Sequence, residues 1–225
     1  WLFVNLHCVT ESTESTESFE SFIEPLKKQL TDFDLDDFVV AASIEFDEIK
    51  TNWKLLMENF IEPYHVQVVH KTTTNQPLVD HYVVMDEHCL GSAVDLTSEQ
   101  QNKGQEGTLS VSSRYLTLFP NFVLGVYYPD QLGVHLNQPI SAGSTHQRRV
   151  IYQLKSANQS ADEIEKIRKL WISVHKEDHE ICERLQEGRH SDLSEQGGLL
   201  SPHWESSVRK FQELVADSIR PAFKH

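Results

Sequence analysis

Two histidines five residues apart, His65 and His70, are the residues of this sequence best suited to chemistry. They lie in the segment 58–70, which reads ENFIEPYHVQVVH. Neutral imidazole is a good ligand for iron, zinc and copper. The pair therefore indicates a metal site. The alternative is two ordinary histidines, one packed and one exposed, because a chain with twelve histidines contains such a pair by chance.

The spacing of the pair requires a distorted backbone. Residues five apart on an ideal helix are rotated by about 140° from one another, unlike the zinc-binding histidines of a His-Glu-x-x-His helix. Pro63 precedes His65, and a proline inside a helix removes a backbone hydrogen bond and bends the chain. A π-bulge would have the same effect. Both imidazoles can then reach one ion.

A third ligand is expected on a long helix predicted from about Ser160 to Glu187. Its inward face is predicted to carry an apolar stripe, which Asp178 interrupts: Leu170, Val174, Ile181 and Leu185. A buried carboxylate needs a partner, and a metal ion is one. The alternative is that Asp178 belongs to a solvated acidic face. Two histidines and one carboxylate with open positions form the ligand set of non-haem Fe(II) oxygenases.

The remaining periodicity predicts an α+β fold. Helices are expected over about 17–30, 53–70, 160–187 and 203–219, and strands over 1–6 and 38–49. Six short strands follow in the antiparallel meander predicted between about 80 and 155. Ser160 and Glu163 form a capping box at the start of the long helix. The expected architecture is an antiparallel sheet packed against this C-terminal helix.

The residues around the histidines resemble a known family. The pattern is Asn52-Trp53-Lys54, then Glu58-Asn59-Phe60, then Glu62-x-Tyr64-His65-x4-His70. It is similar to the catalytic-domain signature of Rieske-type non-haem iron oxygenases, the α subunits of ring-hydroxylating dioxygenases and related monooxygenases and demethylases. The similarity covers about residues 38 to 220.

The resemblance implies a helix-grip fold and a mononuclear Fe(II) bound by His65, His70 and Asp178. It also implies that Glu62 passes electrons to the iron from a neighbouring subunit's Rieske centre. Many members have Asp at that position, so Glu is a change in length but not in charge. Asn59 and Tyr64 are expected to support the ligands.

The Rieske [2Fe–2S] cluster has no ligands here, because none of the three cysteines has a histidine two or three residues after it. Residues 1–37 are therefore expected to be a strand returning from a missing upstream Rieske domain plus a linker helix. Residues 38–225 are expected to be the catalytic domain. The chain is expected to be incomplete without the cluster domain.

The resemblance implies the activity of a terminal oxygenase that carries out either ring hydroxylation or oxidative demethylation. Its expected partners are O₂, a small aromatic or quaternary-ammonium substrate, a reductase or ferredoxin that delivers electrons from NAD(P)H, and two further copies in a homotrimer. Five residues are predicted to line the substrate cavity: Phe122, Tyr127, His135, Asn137 and Trp171. A substrate carboxylate would need a cation, for which Arg114, Arg148 and Arg149 are candidates.

Composition excludes some functions. A formal net charge of −14 argues against nucleic acid and anionic membranes as partners. Three widely spaced cysteines favour a reducing cytoplasm, and no apolar run is long enough to span a membrane. Two alternatives remain from the sequence: a zinc-dependent hydrolase with the same three ligands, and a helix-grip ligand-binding protein without a metal.

Overall fold

A seven-stranded antiparallel sheet forms the centre of the molecule. The computed structural model describes residues 18–102 and 108–220. The strands are β1 Phe38–Ile49, β2 His81–Asp86, β3 Cys89–Val94, β4 Ser113–Leu118, β5 Phe122–Tyr127, β6 Gln131–Ser141 and β7 Ser144–Leu154. The helices are α1 Phe19–Lys28, α2 Trp53–Ile61, α3 Val66–Val69, α4 Ser98–Asn102, α5 Ala161–Gly188 and α6 Ser206–Ile219.

The strand order is β1-β7-β6-β5-β4-β3-β2, so β2 to β7 form a meander and β1 joins its far edge. Apart from the longer β3–β4 connection, which contains α4, adjacent strands of this meander are linked by short connections, as antiparallel pairs allow. The predicted α+β class and the antiparallel sheet with a long C-terminal helix are confirmed. The predicted strand over residues 1–6 lies outside the described residues.

Helices cover both faces of the sheet. On one face, Leu26 of α1 and Leu30, which follows the helix, are buried in a cluster that includes Leu116 and Leu124. On the other face, Trp171 and Val174 of α5 pack with Tyr127 and Ile151 of the sheet. Burial of apolar surface of this kind contributes about 25 cal/mol per Å². These buried contacts hold α5 against this face of the sheet.

The start of α5 follows the sequence expectation. The Ser160 side chain accepts a hydrogen bond from the backbone N–H of Glu163, whose own carboxylate accepts from the Ser160 backbone, so the capping box is present. The helix continues to Gly188, one residue past the predicted end. The buried face of this helix differs from the prediction and is described with the site.

The predicted continuous helix from Trp53 to His70 is wrong. Helix α2 ends at Ile61, and a separate single turn, α3, begins at Val66. Proline disfavours helical backbone in the residue before it. Glu62 accordingly has φ −113° and ψ 142°, which is extended. The chain is interrupted at Pro63 rather than bent, and both histidines lie just beyond the interruption.

Candidate metal centre

The break between α2 and α3 places His65 over the cavity between the sheet and α5. The imidazole Nδ1 of His65 lies 2.7 Å from Glu62 Oε1. The other Glu62 oxygen accepts hydrogen bonds from the backbone N–H groups of Tyr64 and His65. One carboxylate therefore fixes both the irregular turn and the ring that follows it. The ring of Tyr64 is 55% exposed, so this residue contributes its backbone N–H rather than its side chain.

His70 is held in the same way by a carboxylate from α5. Its Nδ1 lies 2.8 Å from Glu177 Oε2, which also accepts a 2.6 Å hydrogen bond from the hydroxyl of Thr73. His70 itself is 5% exposed. When Nδ1 donates to a carboxylate, the tautomer is fixed and the lone pair of Nε2 faces the other way. Both histidines are thus oriented to present Nε2.

Asp178 lies where the two Nε2 atoms converge. Its Oδ1 is 3.0 Å from His70 Nε2 and 3.5 Å from His65 Nε2. The amide of Asn59 donates a 2.8 Å hydrogen bond to the same oxygen. The predicted ligands therefore lie together, and Asn59 supports the carboxylate from α2.

The inward stripe predicted for α5 is displaced by about one residue. Leu185 is 44% exposed, whereas Trp171, Val174, His175 and Cys182 are buried. Position 178 continues the spacing of this buried set, at three residues after 175 and four before 182, so it shares their face. Asp178 points inward, but its neighbours on that face include an aromatic ring and an imidazole rather than leucines.

Charge interactions within this cluster are strong. Burial alone would lower the pKa of His70, but the charges and hydrogen bonds of Asp178 and Glu177 outweigh it and raise the pKa to about 9. Burial would raise the pKa of Asp178, but His70 and His65, with the Asn59 amide, lower it to about 2. A carboxylate among imidazoles stabilises a cation, whether that cation is a proton or a metal ion.

The donor set fits a divalent metal ion. One nitrogen from each histidine and one Asp178 oxygen all lie within 4.8 Å of one another. Imidazole and carboxylate suit iron and zinc, and three protein ligands leave positions open for other groups. The Nδ1–H···carboxylate pairs supply the support that metal-binding histidines usually have.

A cavity adjoins this cluster, and it includes three of the five predicted substrate residues. Tyr127, His135 and Trp171 lie along it, with Phe60 and Tyr115. Asn137 lines a smaller neighbouring cavity instead, where its side chain is hydrogen-bonded to Gln147 and Met57.

The placement of Phe122 differs from the prediction. It packs against the cluster beneath α1, on the opposite face of the sheet, because side chains alternate along β5 and Tyr127 is five residues further on. An odd separation in a regular strand puts two residues on opposite faces.

Sequence reasoning missed two residues of this region. Glu177, which directly precedes Asp178, was given no role by the sequence, yet it holds His70. Arg149 was one of three unplaced arginines, yet it is 1% exposed and lines the cavity. Its strand position gave a signal, because in the alternating strand β7 it neighbours an arginine on the exposed face.

A two-histidine, one-carboxylate cluster beside a buried cavity is typical of mononuclear non-haem iron enzymes. The family described as ring hydroxylating alpha subunit (catalytic domain) matches residues 35–220. The chain belongs to this family, and to the Rieske non-haem iron oxygenases. The predicted enzyme class is therefore confirmed.

Individual relatives give the same picture. A chloroplastic choline monooxygenase from Atriplex hortensis is 27% identical over 158 residues, which are 68% of this chain and 34% of that protein. The quaternary ammonium Rieske monooxygenase CntA in complex with an inhibitor superposes with a TM-score of 0.74 at 18% identity, over 91% of this chain and 57% of that one.

An aromatic-ring oxygenase has the same fold. Naphthalene 1,2-dioxygenase from Rhodococcus sp. bound to indole matches with a TM-score of 0.66 at 14% identity, over 89% of this chain and 61% of that chain. The chain thus spans about a third of the curated relative and less than two thirds of these solved chains. Among the described residues, no helix is long and apolar enough to cross a membrane.

Proposed function

We propose that this chain is the catalytic domain of a terminal oxygenase that binds Fe(II) through His65, His70 and Asp178. The observation that carries the proposal is the orientation of the two imidazoles. Glu62 and Glu177 take the Nδ1 atoms, and the Nε2 atoms converge on Asp178 Oδ1. Iron bound there would supply O₂ activation, with electrons from NAD(P)H through a reductase and a Rieske [2Fe–2S] cluster outside this chain.

The residues of the chain have separate tasks in this proposal. Asn59 keeps the Asp178 carboxylate turned toward the histidines, since its amide donates to Oδ1. Glu62 holds His65 and is the proposed route by which electrons from a neighbouring subunit's cluster enter the site. Its carboxylate bonds directly to Nδ1 of His65, which supports such a route. A homotrimer is the proposed assembly, because that route runs between subunits.

The cavity walls restrict the substrate to a small molecule. Phe60, Tyr115 and Tyr127 present aromatic rings beside the ligands. Such rings stack on an aromatic substrate or surround a quaternary ammonium group. The names of the relatives, a choline monooxygenase, a quaternary ammonium monooxygenase and a naphthalene dioxygenase, support the same two substrate classes. The proposed reaction is therefore ring hydroxylation or oxidative demethylation.

The test is metal content after anaerobic loading with Fe(II), measured for the wild type, His70→Ala and Asp178→Ala. One iron per chain in the wild type and its loss in both variants is the expected result. His190→Ala is a matched control, because His190 is exposed and lies beyond α5. Nitric oxide added to the loaded protein should give the electron paramagnetic resonance signal of an Fe(II)–nitrosyl centre, which requires an open position.

Three results would contradict the proposal. No bound iron in the wild type would exclude the site. Iron binding that persists in Asp178→Ala would mean that the ligands are assigned wrongly. Strong retention of zinc in place of iron, with no nitrosyl signal, would favour a zinc-dependent hydrolase with the same three ligands.

A further inference from the structure

The wall of the cavity opposite the candidate ligands carries a buried cation. Arg149 is 1% exposed, and its guanidinium carbon lies 3.6 Å from the centre of the Trp171 ring. Strand β6 leaves room for it, because a Cβ added at Gly133 would come within 2.4 Å of Arg149 Nη2. The guanidinium therefore lies between Gly133 of the sheet and Trp171 of α5.

The hydrogen bonds of this arginine are incomplete. Nη1 donates to His135 Nε2 at 2.5 Å and lies 3.5 Å from His175 Nε2. Nε and Nη2 are buried without a well-formed hydrogen bond among the described residues, and so is the hydroxyl of Tyr127, which lies close enough to the guanidinium for Arg149 to lower the tyrosine pKa against the effect of burial. Burial of such donors without partners is unfavourable and rare in folded proteins. Three polar groups beside one cavity are thus left for another molecule.

The charge of Arg149 is also uncompensated by contact. Within the described chain, no carboxylate lies at salt-bridge distance from the guanidinium. Both neighbouring imidazoles are neutral, because burial, together with the charge of Arg149, lowers the pKa of His135 and of His175 well below the usual range. Arginine stays protonated in proteins. An uncompensated buried charge is strongly unfavourable, and a bound anion would offset that cost.

The other two arginines left open by the sequence are already paired. Arg114 Nη1 lies 2.7 Å from Asp95 Oδ1, and Arg148 Nε lies 3.5 Å from Glu45 Oε1. Arg148 directly precedes Arg149 in β7 but is exposed on the opposite face of the sheet. Of these three arginines, the one inside the cavity is therefore the one without a carboxylate partner among the described residues.

We propose that Arg149, with the Tyr127 hydroxyl, binds a carboxylate group of the substrate. A planar guanidinium matches a carboxylate in geometry and charge better than any other side chain does. The inference deepens the proposed function and rests on it. The same cavity reaches His65, His70 and Asp178, so a carboxylate bound by Arg149 belongs to the substrate if these three residues form the oxygenase site. An aryl carboxylate and a trimethylammonium carboxylate share this chemistry.

The test is calorimetric binding of four probes to the full chain, both chelator-treated and loaded with Fe(II) without oxygen. Benzoate is compared with benzamide, and glycine betaine with choline, so that each pair differs mainly in the carboxylate. At least one carboxylate should bind about 10- to 100-fold more tightly than its neutral or cationic counterpart, as charge-assisted hydrogen bonds allow. The pair with the larger preference shows whether the site takes an aryl carboxylate or a trimethylammonium carboxylate.

Variants separate recognition from folding. Arg149→Gln should abolish the preference, and Arg149→Lys, which keeps the charge but not the paired donors, should retain part of it. Arg148→Gln is the matched control and should behave like the wild type. The wild-type preference is measured without any variant, so it decides the matter even if the Arg149 variants do not fold.

Two outcomes would overturn the inference: no preference for either carboxylate in the wild type, or an undiminished preference in folded Arg149→Gln. The chelated and loaded samples distinguish this failure from failure of the proposed function. Carboxylate binding that depends on Arg149 in protein that takes up no iron would uphold the anion site and reject the oxygenase site. Iron uptake without a carboxylate preference would reject the anion site and leave the oxygenase site standing.

Discussion

The two walls of the cavity use histidine in opposite ways. On the wall of α2 and α3, His65 and His70 each have a carboxylate on Nδ1. On the wall of the sheet, the buried imidazole of His135 contacts a guanidinium and, among the residues that the structure describes, no carboxylate. The first arrangement stabilises a cation between the rings, and the second keeps the ring neutral. The partner of an imidazole, rather than its burial, decides which charge a wall can bind.

The largest expected effects are opposite pH dependences of stability in chelator-treated protein. The pKa of His70 is raised from 6.5 to about 9. The folded state therefore binds its proton more tightly than the unfolded state does. This stabilisation is fully present below pH 6.5 and is lost as the pH rises to about 9, a change on the order of 3 kcal/mol.

Urea unfolding of the wild type and His70→Asn at several pH values measures this pH-dependent stabilisation by His70. The stability difference between the two proteins should shrink over this range. His190→Asn, at an exposed position, should follow the wild type. A constant difference between wild type and His70→Asn would mean that the carboxylates do not act on His70.

The pH dependence of stability that His81 contributes should have the opposite sign to that of His70. Burial, together with the charge of His65, lowers its pKa from 6.5 to about 4. Between these values the unfolded state binds a proton that the folded state does not, so stability falls as the pH drops from 6.5 to 4, again on the order of 3 kcal/mol. His81→Asn should unfold with a weaker dependence on acid. If urea unfolding showed the same loss of stability between pH 6.5 and 4 in the wild type and in His81→Asn, His81 would not be the source of that loss.

Glu177→Gln weakens the ligand wall without removing a ligand. Glutamine keeps the size of the side chain but removes the charge that orients His70. Loss of such a support typically costs 10- to 100-fold in metal affinity, and competition with a chromogenic chelator would measure it. Glu180→Gln is the control, because Glu180 lies on the same helix but is exposed and paired with Arg184. Equal affinities for the two variants would contradict the role given to Glu177.

The smallest expected effect concerns the sheet wall. Tyr127→Phe removes a buried hydroxyl that has no partner among the described residues. If this hydroxyl donates to a bound carboxylate, its loss should weaken binding of the preferred probe by at least about 2- to 12-fold, the net contribution of a typical hydrogen bond. Titration of Tyr115→Phe gives the comparison, since the Tyr115 hydroxyl already bonds to Gln76. If Tyr115→Phe weakened probe binding more than Tyr127→Phe, the contact with the carboxylate would belong to Tyr115 rather than to Tyr127.

Local patterns in the sequence were sufficient for the ligand wall. The segment from Asn59 to His70 is short and contains both histidines, although the sequence predicted a bend at Pro63 where the helix in fact ends. The capping box likewise located the start of α5. The short β-rich runs between about 80 and 155 and the polar breaks that separate them predicted the meander. These features depend on neighbours in the chain, which a sequence displays directly.

Contacts between distant segments were beyond the same reasoning. Glu177 meets His70 across 107 positions, and Arg149 meets Trp171 only because the sheet and α5 pack together. The inward face of α5 was misjudged for a related reason. Leucines at 170 and 185 suggested an apolar stripe, whereas the packed face carries Trp171 and His175, whose burial depends on partners in the sheet.

The most direct test of the contrast is the nitrosyl signal of the Fe(II)-loaded protein with and without the preferred carboxylate probe. If the two walls face one cavity, the bound carboxylate should perturb the signal in the wild type and in Arg148→Gln but not in Arg149→Gln. Nitric oxide should remain bound throughout, because the carboxylate occupies the sheet wall. A signal unchanged in the wild type, or lost because the carboxylate displaces nitric oxide, would contradict the account.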